Sequence, residues 1–338
     1  MPASEITVAV LGATGRVGRV MLSILEERDF PCARPRLFAS SRSAGSTMRF
    51  RGEDLTVEDV ARADLEGIGI ALFSAGGGTS REWAPRFAEA GAVVVDNSSA
   101  WRMDPEVPLV VPEVNPDAVL SQHRIIANPN CSTIQLVVVL VGLQRHWGLE
   151  RVVVSTYQSV SGAGEKGVRE YEAQRDARSD ASEVMGRVVH ENVVPWIGTL
   201  GEDDYTEEEL KVERESQKIL GLPALRVTCT AVRVPVITGH SEAVTVQLSR
   251  DTTVSELRKA LAALPGVVVM DEPAARQFPT PRETAGRDEV FVGRIRPDRS
   301  ASRSWNLWVV GDNIRKGAAL NAVQIAELLV RQGQVVGG

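Results

Sequence analysis

The chain has 338 residues, 43% hydrophobic and 24% charged, an ordinary balance for a soluble globular protein, and it is too long for one usual core, so two domains are expected. A net charge of −6, with no basic run interleaved with aromatics, excludes a nucleic-acid surface, and the longest apolar run is interrupted by Gln135 and Gly142 and is too short to span a membrane. Met1-Pro2-Ala3-Ser4-Glu5 lacks the features of a signal peptide, Cys32, Cys131 and Cys229 make no disulfide framework, and no zinc-ligand spacing is present, so a cytoplasmic protein without a metal is expected.

Residues 6–11 read as a buried strand, followed by Gly12-Ala13-Thr14-Gly15-Arg16-Val17-Gly18 and an amphipathic helix to Glu27. A strand, a glycine-rich turn and a helix form a dinucleotide-binding unit: the glycines allow the tight turn and the helix terminus receives the pyrophosphate. The spacing Gly-x-x-Gly-x-x-Gly departs from the usual Gly-x-Gly-x-x-Gly, and a purely structural turn stays open. The second strand, 36–39, ends in Ser40-Ser41-Arg42-Ser43 and not in the carboxylate that binds ribose hydroxyls in NAD enzymes. Hydroxyls and a guanidinium suit a 2′-phosphate, which favours NADP. Residues 68–73 form a third strand that exits through Ser74-Ala75-Gly76-Gly77-Gly78. Residues 92–95 form a fourth, which exits toward Trp101-Arg102, where Arg102 is a candidate anion ligand. The alternation predicts a Rossmann-type doubly wound parallel sheet, with its crevice at the carboxyl ends of the strands.

Asn128-Pro129-Asn130-Cys131-Ser132-Thr133 follows a strand-like run, 123–127, and precedes a long apolar helix over 134–143. Ser132 or Thr133 is expected to cap that helix and leave Cys131 at its amino end, where N–H groups and the helix dipole favour a nucleophilic thiolate. A small buried thiol is the alternative. Residues 151–157 read as a strand leading into Gln158-Ser159-Val160-Ser161-Gly162-Ala163-Gly164, a flexible loop in which Gln158 either orients an acyl group or ends a turn. Thr206 and Glu209 make a capping box opening a helix to Leu220, on which Glu208 and Lys211 share a face; spacing alone reads them as a solvated pair. Residues 225–236 alternate as a strand containing Arg233. His240 follows at a turn, where an exposed imidazole can act as acid or base. Strands at 243–248, 267–270, 290–295 and 305–310, with helices at 253–264 and 316–330, predict a second α+β domain with a mostly antiparallel sheet. The last helix is apolar on one side and is expected to pack on the first domain. Residues 277–288 read as a mobile loop.

Gly12-Ala13-Thr14-Gly15 and the Asn128–Thr133 hexapeptide carry a resemblance that runs essentially the whole chain. It extends through Ser159–Gly164, Arg233-Val234-Pro235, Gly239-His240-Ser241 and Asp312-Asn313-x-x-Lys316-Gly317-Ala318-Ala319. The chain resembles the aspartate-β-semialdehyde dehydrogenase family. The alternative is a related acyl-phosphate reductase such as N-acetyl-γ-glutamyl-phosphate reductase, which typically has His-Pro-Gly-Cys where this chain has Asn-Pro-Asn-Cys. The resemblance implies reversible, NADPH-dependent reductive dephosphorylation of L-aspartyl-4-phosphate to L-aspartate-4-semialdehyde. The reaction passes through a cysteine thioacyl intermediate and serves lysine, diaminopimelate, threonine and methionine biosynthesis. It implies Cys131 as nucleophile, His240 as general acid/base and Gln158 as the residue orienting substrate at the thiol. It implies Arg233 for the substrate carboxylate, Glu208 for its amino group, Arg102 and Lys211 for phosphate, and Asn130 in the same substrate site. Gly12, Thr14, Gly15, Arg16, Val17, Ser41, Arg42, Ser74, Gly76, Ser161, Gly162, Asn313 and Gln324 are the implied NADP contacts. Residues 1–130, completed by 314–338, would bind NADP; residues 131–313 would carry catalysis and dimerisation, in a homodimer or a dimer of dimers.

Overall fold

The computed structural model describes residues 6–335 and divides into two compact units. One comprises the chain up to Pro129 together with the chain from Ala318 onward; the other is Asn130–Gly317. The amino-terminal pentapeptide, and residues 336–338 at the end of the expected NADP-binding domain, lie outside the described residues.

The first unit begins with β1 (Val8–Leu11), α1 (Arg16–Glu27), β2 (Arg36–Ala39), β3 (Thr47–Phe50), β4 (Glu53–Asp59), β5 (Ile70–Phe73), α2 (Gly77–Glu89), β6 (Val93–Asp96) and β7 (Ile125–Ala127). These strands form one sheet in the order β3-β4-β2-β1-β5-β6-β7, and every pairing is parallel except that of β3 with β4. The β3–β4 hairpin was not expected from the sequence. Arg51 and Gly52 both have positive φ, the geometry of a two-residue turn matched to strand twist, and β4 buries only Leu55 and Val57. So short a half-polar pair carries little periodic signal. No α-helix joins β6 to β7; the connection carries one 3₁₀ turn, Pro116–Ala118.

The second unit contains α3 (Cys131–Trp147), β8 (Leu149–Gln158), α4 (Gly164–Arg175), α5 (Glu207–Leu220), β9 (Arg226–Arg233), β10 (His240–Leu248), α6 (Val254–Ala262), β11 (Val267–Val269), α7 (Pro281–Thr284), β12 (Val290–Pro297) and β13 (Ser304–Gly311). Its sheet runs β11-β12-β13-β10-β8-β9, antiparallel except for the β8–β9 and β11–β12 pairs. Helix α3 is buried all round from Ser132 to Leu143, as a helix hydrophobic on every side must be. One sheet face buries Val152, Val154, Val244, Val246, Leu307 and Val309, the alternate residues of three adjacent strands. The other face presents Val153, Ser155, Tyr157, Thr245 and Trp308, all half-buried. The stretch expected to be mobile is tied down: Thr280 and Glu283 form a capping box on α7, Trp308 Nε1 donates to the Pro279 carbonyl at 3.0 Å, and the Gly286 N–H donates to Asp312 at 2.7 Å.

A single π-turn, Arg315–Ala319, then leads into α8 (Leu320–Arg331). This helix belongs to the first unit, where Leu320, Val323 and Leu329 share a core with Val8, Val10, Ile24 and Leu72. The opposite face of that sheet is closed by α2, whose Phe87 sits edge-on to Phe38 and Phe73 at 5.7 and 5.1 Å.

Candidate active site

Asn130 ends an extended stretch, and its Oδ1 accepts from the backbone N–H groups of Ser132 and Thr133 at 3.0 and 3.3 Å. The cap of α3 is therefore Asn130, not Ser132 or Thr133, whose hydroxyls are already inside the helix and fully buried. Cys131 is the first helical residue, at the positive end of the dipole, and it is half-buried, whereas Cys32 and Cys229 are buried. Gly317 lies against it: a Cβ there would stand 3.0 Å from the Cys131 Cβ, a contact tight enough to press on the carbon that carries the thiol.

Three adjacent strands deliver side chains to one end of the second sheet. Gln158 ends β8 and Arg233 ends β9, paired in register, and His240 begins β10 on the other side of β8. Gln158 is thus a strand end and not part of the following loop. His240 is fully buried, contrary to the exposed imidazole expected at a turn. Gly239, at φ +95°, makes the bend itself and frees His240 to enter the sheet. The Ser159 N–H donates to His240 Nδ1 at 3.0 Å, so in the neutral ring the proton sits on Nε2, which lies 3.5 Å from Gln158 Nε2. Burial first, and then the Arg233 charge, push the imidazole down to about 3, so the ring is neutral at physiological pH. Arg233 Nη1 donates to the Ser159 carbonyl at 2.6 Å. A Cβ on Gly162 would lie 3.1 Å from that nitrogen and 3.4 Å from the His240 ring.

Glu208 joins this group from the first turn of α5. Its Oε1 accepts from Asn130 Nδ2 at 2.8 Å and from Gln158 Nε2 at 3.0 Å, and its Oε2 faces Lys211 Nζ at 3.4 Å. The pair is therefore not the solvated one that spacing suggested: Glu208 is buried, and Lys211 is the half-exposed partner. Burial raises the Glu208 carboxyl, but the Lys211 charge, the two amides and Arg233 outweigh it and hold the group below the usual carboxylate range. Burial lowers the Arg233 guanidinium, opposed by the charges of Glu208 and Cys131. Arg233 and the amino end of α3 together favour negative charge on the sulfur.

Sequence reasoning missed two members of this cluster. Ser159 serves both His240 and Arg233, and Glu215 accepts from the Asn130 N–H at 2.6 Å. Glu215 falls seven residues after Glu208, two helical turns along the same face, and that spacing was the available signal.

The remaining candidates fall into two groups. Ser161, Gly162 and Asn313 belong to the second unit. Asn313 Nδ2 donates to Ser161 Oγ at 3.0 Å, while Asn313 Oδ1 accepts from Ser159 Oγ at 3.0 Å and the Gly239 N–H at 2.9 Å, bracing the chain on both sides of His240. The others belong to the first unit. There a crevice of about 540 Å³ is lined by Gly12, Thr14, Gly15, Ser41, Arg42 and Ser74, among others. Arg16 and Val17 open α1, and Gly76 is the residue before α2. Gly12 has φ +84°, and a Cβ on it would lie 2.4 Å from the Ser74 carbonyl oxygen, so the backbone there must stay bare. This bare turn before a helix terminus fits a pyrophosphate, and exposed Arg42 and Ser41 in the wall fit a 2′-phosphate. Arg102 is buried, its guanidinium donating to the carbonyls of Asn128 at 2.9 Å and Asn97 at 3.1 Å. Gln324 on α8 donates to Glu113 at 3.0 Å. Among the described residues no helix is long and apolar enough to cross a membrane, and no group of three or more His, Cys, Asp or Glu side chains could hold a metal.

Residues 7–122 match the family model "Semialdehyde dehydrogenase, NAD binding domain", and residues 140–316 match "Semialdehyde dehydrogenase, dimerisation domain". The chain is 51% identical over 336 residues to the aspartate-semialdehyde dehydrogenase of Aquifex aeolicus, covering 97% of this chain and 99% of the relative. It is 46% identical over 335 residues to that of Bacillus subtilis, covering 95% and 96%. The fold matches the crystal structure of aspartate semialdehyde dehydrogenase II complexed with ASA from Vibrio cholerae with a TM-score of 0.94 at 46% identity, over 97% of this chain and 99% of that one. It matches the Candida albicans enzyme with NADP with a TM-score of 0.77 at 25% identity, over 98% and 100%.

Proposed function

We propose that the Cys131 cluster is the reaction centre of this chain, which belongs to the aspartate-semialdehyde dehydrogenase family. The reaction is the NADPH-dependent reductive dephosphorylation of L-aspartyl-4-phosphate to L-aspartate-4-semialdehyde, a step in amino-acid biosynthesis; the acetylglutamyl-phosphate alternative is set aside. The observation that carries the residue assignment is the meeting of Gln158, Arg233, His240, Glu208 and the cap of Cys131 at one sheet end.

The Cys131 thiolate attacks the acyl carbon, a C–S bond forms, the C–O bond to phosphate breaks, and a thioester remains on the enzyme. NADPH, when bound, would supply the hydride that brings this acyl carbon to the aldehyde level, and breaking of the C–S bond frees the semialdehyde and returns Cys131 as the thiolate. His240, neutral with its proton on Nε2, donates to the carbonyl oxygen as negative charge develops there, which is the task its low proton affinity suits. Arg233 offers a planar pair of donors to the substrate carboxylate. Glu208, held anionic, receives the substrate ammonium, and Gln158 between Glu208 and His240 orients the acyl group. Lys211 and Arg102 supply positive charge for the phosphate. Gly12, Thr14, Gly15, Ser41, Arg42 and Ser74 would hold NADP, with Arg16, Val17, Gly76 and Gln324 on the same unit. Ser161, Gly162 and Asn313 set the wall beside His240.

The protein forms a dimer through its second unit. We assign to the second copy the half-buried sheet face of Tyr157, Thr245 and Trp308, which lies opposite α3. A reducing cytoplasm is the compartment in which Cys131 stays a thiol. The test is NADPH formation from L-aspartate semialdehyde, NADP and inorganic phosphate. Strict dependence on phosphate is expected, and NADPH formation without it, or none with it, sinks the reading.

A further inference from the structure

Glu242 lies on β10 two residues beyond His240 and therefore on the same sheet face, toward α3. It is fully buried, with Thr156 beside it on β8 and Val309 on β13. From α3 it meets Gln135, one helical turn beyond Cys131 and on the same side of the helix. Gly311, opposite His240, makes room for that side chain: a Cβ there would lie 2.9 Å from Gln135 Oε1. Gln135 Nε2 reaches the His240 carbonyl at 3.5 Å.

Both carboxyl oxygens of Glu242, and Gln135 Oε1, are buried without a hydrogen bond among the described residues. Gln135 and Glu242 are in contact, and these three oxygens are all acceptors while the carboxyl is ionised, so none of them can satisfy another. A single proton on Glu242 provides for two of the three: its O–H donates to Gln135 Oε1 and leaves Nε2 to the His240 carbonyl. The ionisable neighbours offer no compensating positive charge: the Cys229 thiol on β9 is pushed up, chiefly by burial, and His240 on the same strand as Glu242 is neutral. Burial pushes the Glu242 carboxyl well above its usual range, and the Gln135 amide offsets this only in part.

We propose that Glu242 is a positioning residue: as a neutral acid it donates to Gln135 and so locks the first turns of α3, with Cys131, onto the strand end that carries His240. The proposal rests on the reading of Cys131 and His240 as the reacting groups. Its thermodynamic sign is opposite to that of His240. A carboxyl with a raised folded-state pKa contributes fully at pH values below the unfolded value of 4.5, and that stability is lost as pH rises toward the folded value.

The test compares full-length wild type, Glu242→Gln and Glu242→Leu. Difference infrared at neutral pH should show a protonated-carboxyl band in wild type that is missing from Glu242→Gln. The thermal midpoint of wild type should fall relative to that of Glu242→Gln as pH rises from about 5 to about 8, because the amide has no proton to lose. Glu242→Gln should keep kcat within about twofold, whereas Glu242→Leu should lose about tenfold in kcat with KM values nearly unchanged and slower alkylation of Cys131 by iodoacetamide. A missing band, or a gap between midpoints that does not change with pH, overturns the neutral acid. Wild-type kcat in Glu242→Leu, or equal losses in both variants, overturns the positioning role. Activity in a Cys131→Ser variant would sink the reading of the reaction centre alone, since the infrared and midpoint measurements do not depend on it.

Discussion

The crevice around Gly12 turns on one stretch of bare backbone, whereas the cluster around Cys131 is made of buried side chains. At Gly12 and Gly76 the chain takes positive φ, and the only charged side chain at the end of β2, Arg42, is exposed. Around Cys131, Glu208, Arg233 and His240 are all nearly or fully buried; Asn130 and Gln158 hold Glu208, and Ser159 holds both Arg233 and His240. A backbone cradle binds a phosphate group with little need for a particular neighbour, and it tolerates substitution except where a Cβ intrudes. A buried ionic cluster is stable only when every member is paired, so removal of one is felt by the rest.

That contrast can be broken by experiment, beginning with the thiol. Cys131→Ser should lower turnover by at least about a thousandfold while retaining NADP binding, since the bare turn at Gly12 that fits the pyrophosphate does not involve the thiol. Measurable single-turnover activity would remove Cys131 as nucleophile. In wild type, iodoacetamide should label Cys131 and spare Cys32 and Cys229 by mass mapping, Cys229 because its thiol is buried and pushed up.

His240→Asn should lower kcat by about a hundredfold or more with little change in KM. It should also flatten the acid side of the stability profile. The folded ring has a depressed pKa of about 3 against an ordinary 6.5, so its contribution is present above pH 6.5 and is lost as pH falls toward 3. Parallel midpoint curves for wild type and variant over that window would show that the native ring titrates normally.

Gly12→Ala tests the backbone side of the comparison. The strained φ and the 2.4 Å approach to Ser74 predict a loss of more than about 2 kcal/mol in unfolding free energy, together with weaker NADP binding. An unchanged denaturation midpoint would show that the turn relaxes freely. Arg233→Lys should raise KM for the semialdehyde by about tenfold, because an ammonium cannot replace the paired planar donors. An unchanged KM would remove the carboxylate role. The smallest effect is expected at the exposed edge: Arg42→Ala should raise KM for NADP by up to about tenfold and leave that for NAD nearly unchanged. Equal effects on both cofactors would mean that Arg42 does not read the 2′-phosphate.

Patterns that close within a few residues are legible in the amino-acid sequence by itself. The strand, glycine turn and helix over residues 8–27, the Thr206–Glu209 capping box, and Cys131 at the start of an apolar helix all follow from local spacing, because helix hydrogen bonds and tight turns join near neighbours. The β3–β4 hairpin escaped because β3 is short and both strands are mostly polar. Tertiary structure decided which residue caps α3, for Asn130, Ser132 and Thr133 are all competent caps and Asn130 is the one that Glu208 and Glu215 hold from a distant helix. It also decided that His240 is buried, that its proton sits on Nε2, and that Glu208 faces Gln158 and not water. Those outcomes depend on the register of β8, β9 and β10, which brings together residues as far apart along the chain as Gln158 and His240, and on exclusion of water from the result. No window of sequence contains that register, because strand pairing is set by the whole sheet and the helix that closes over it.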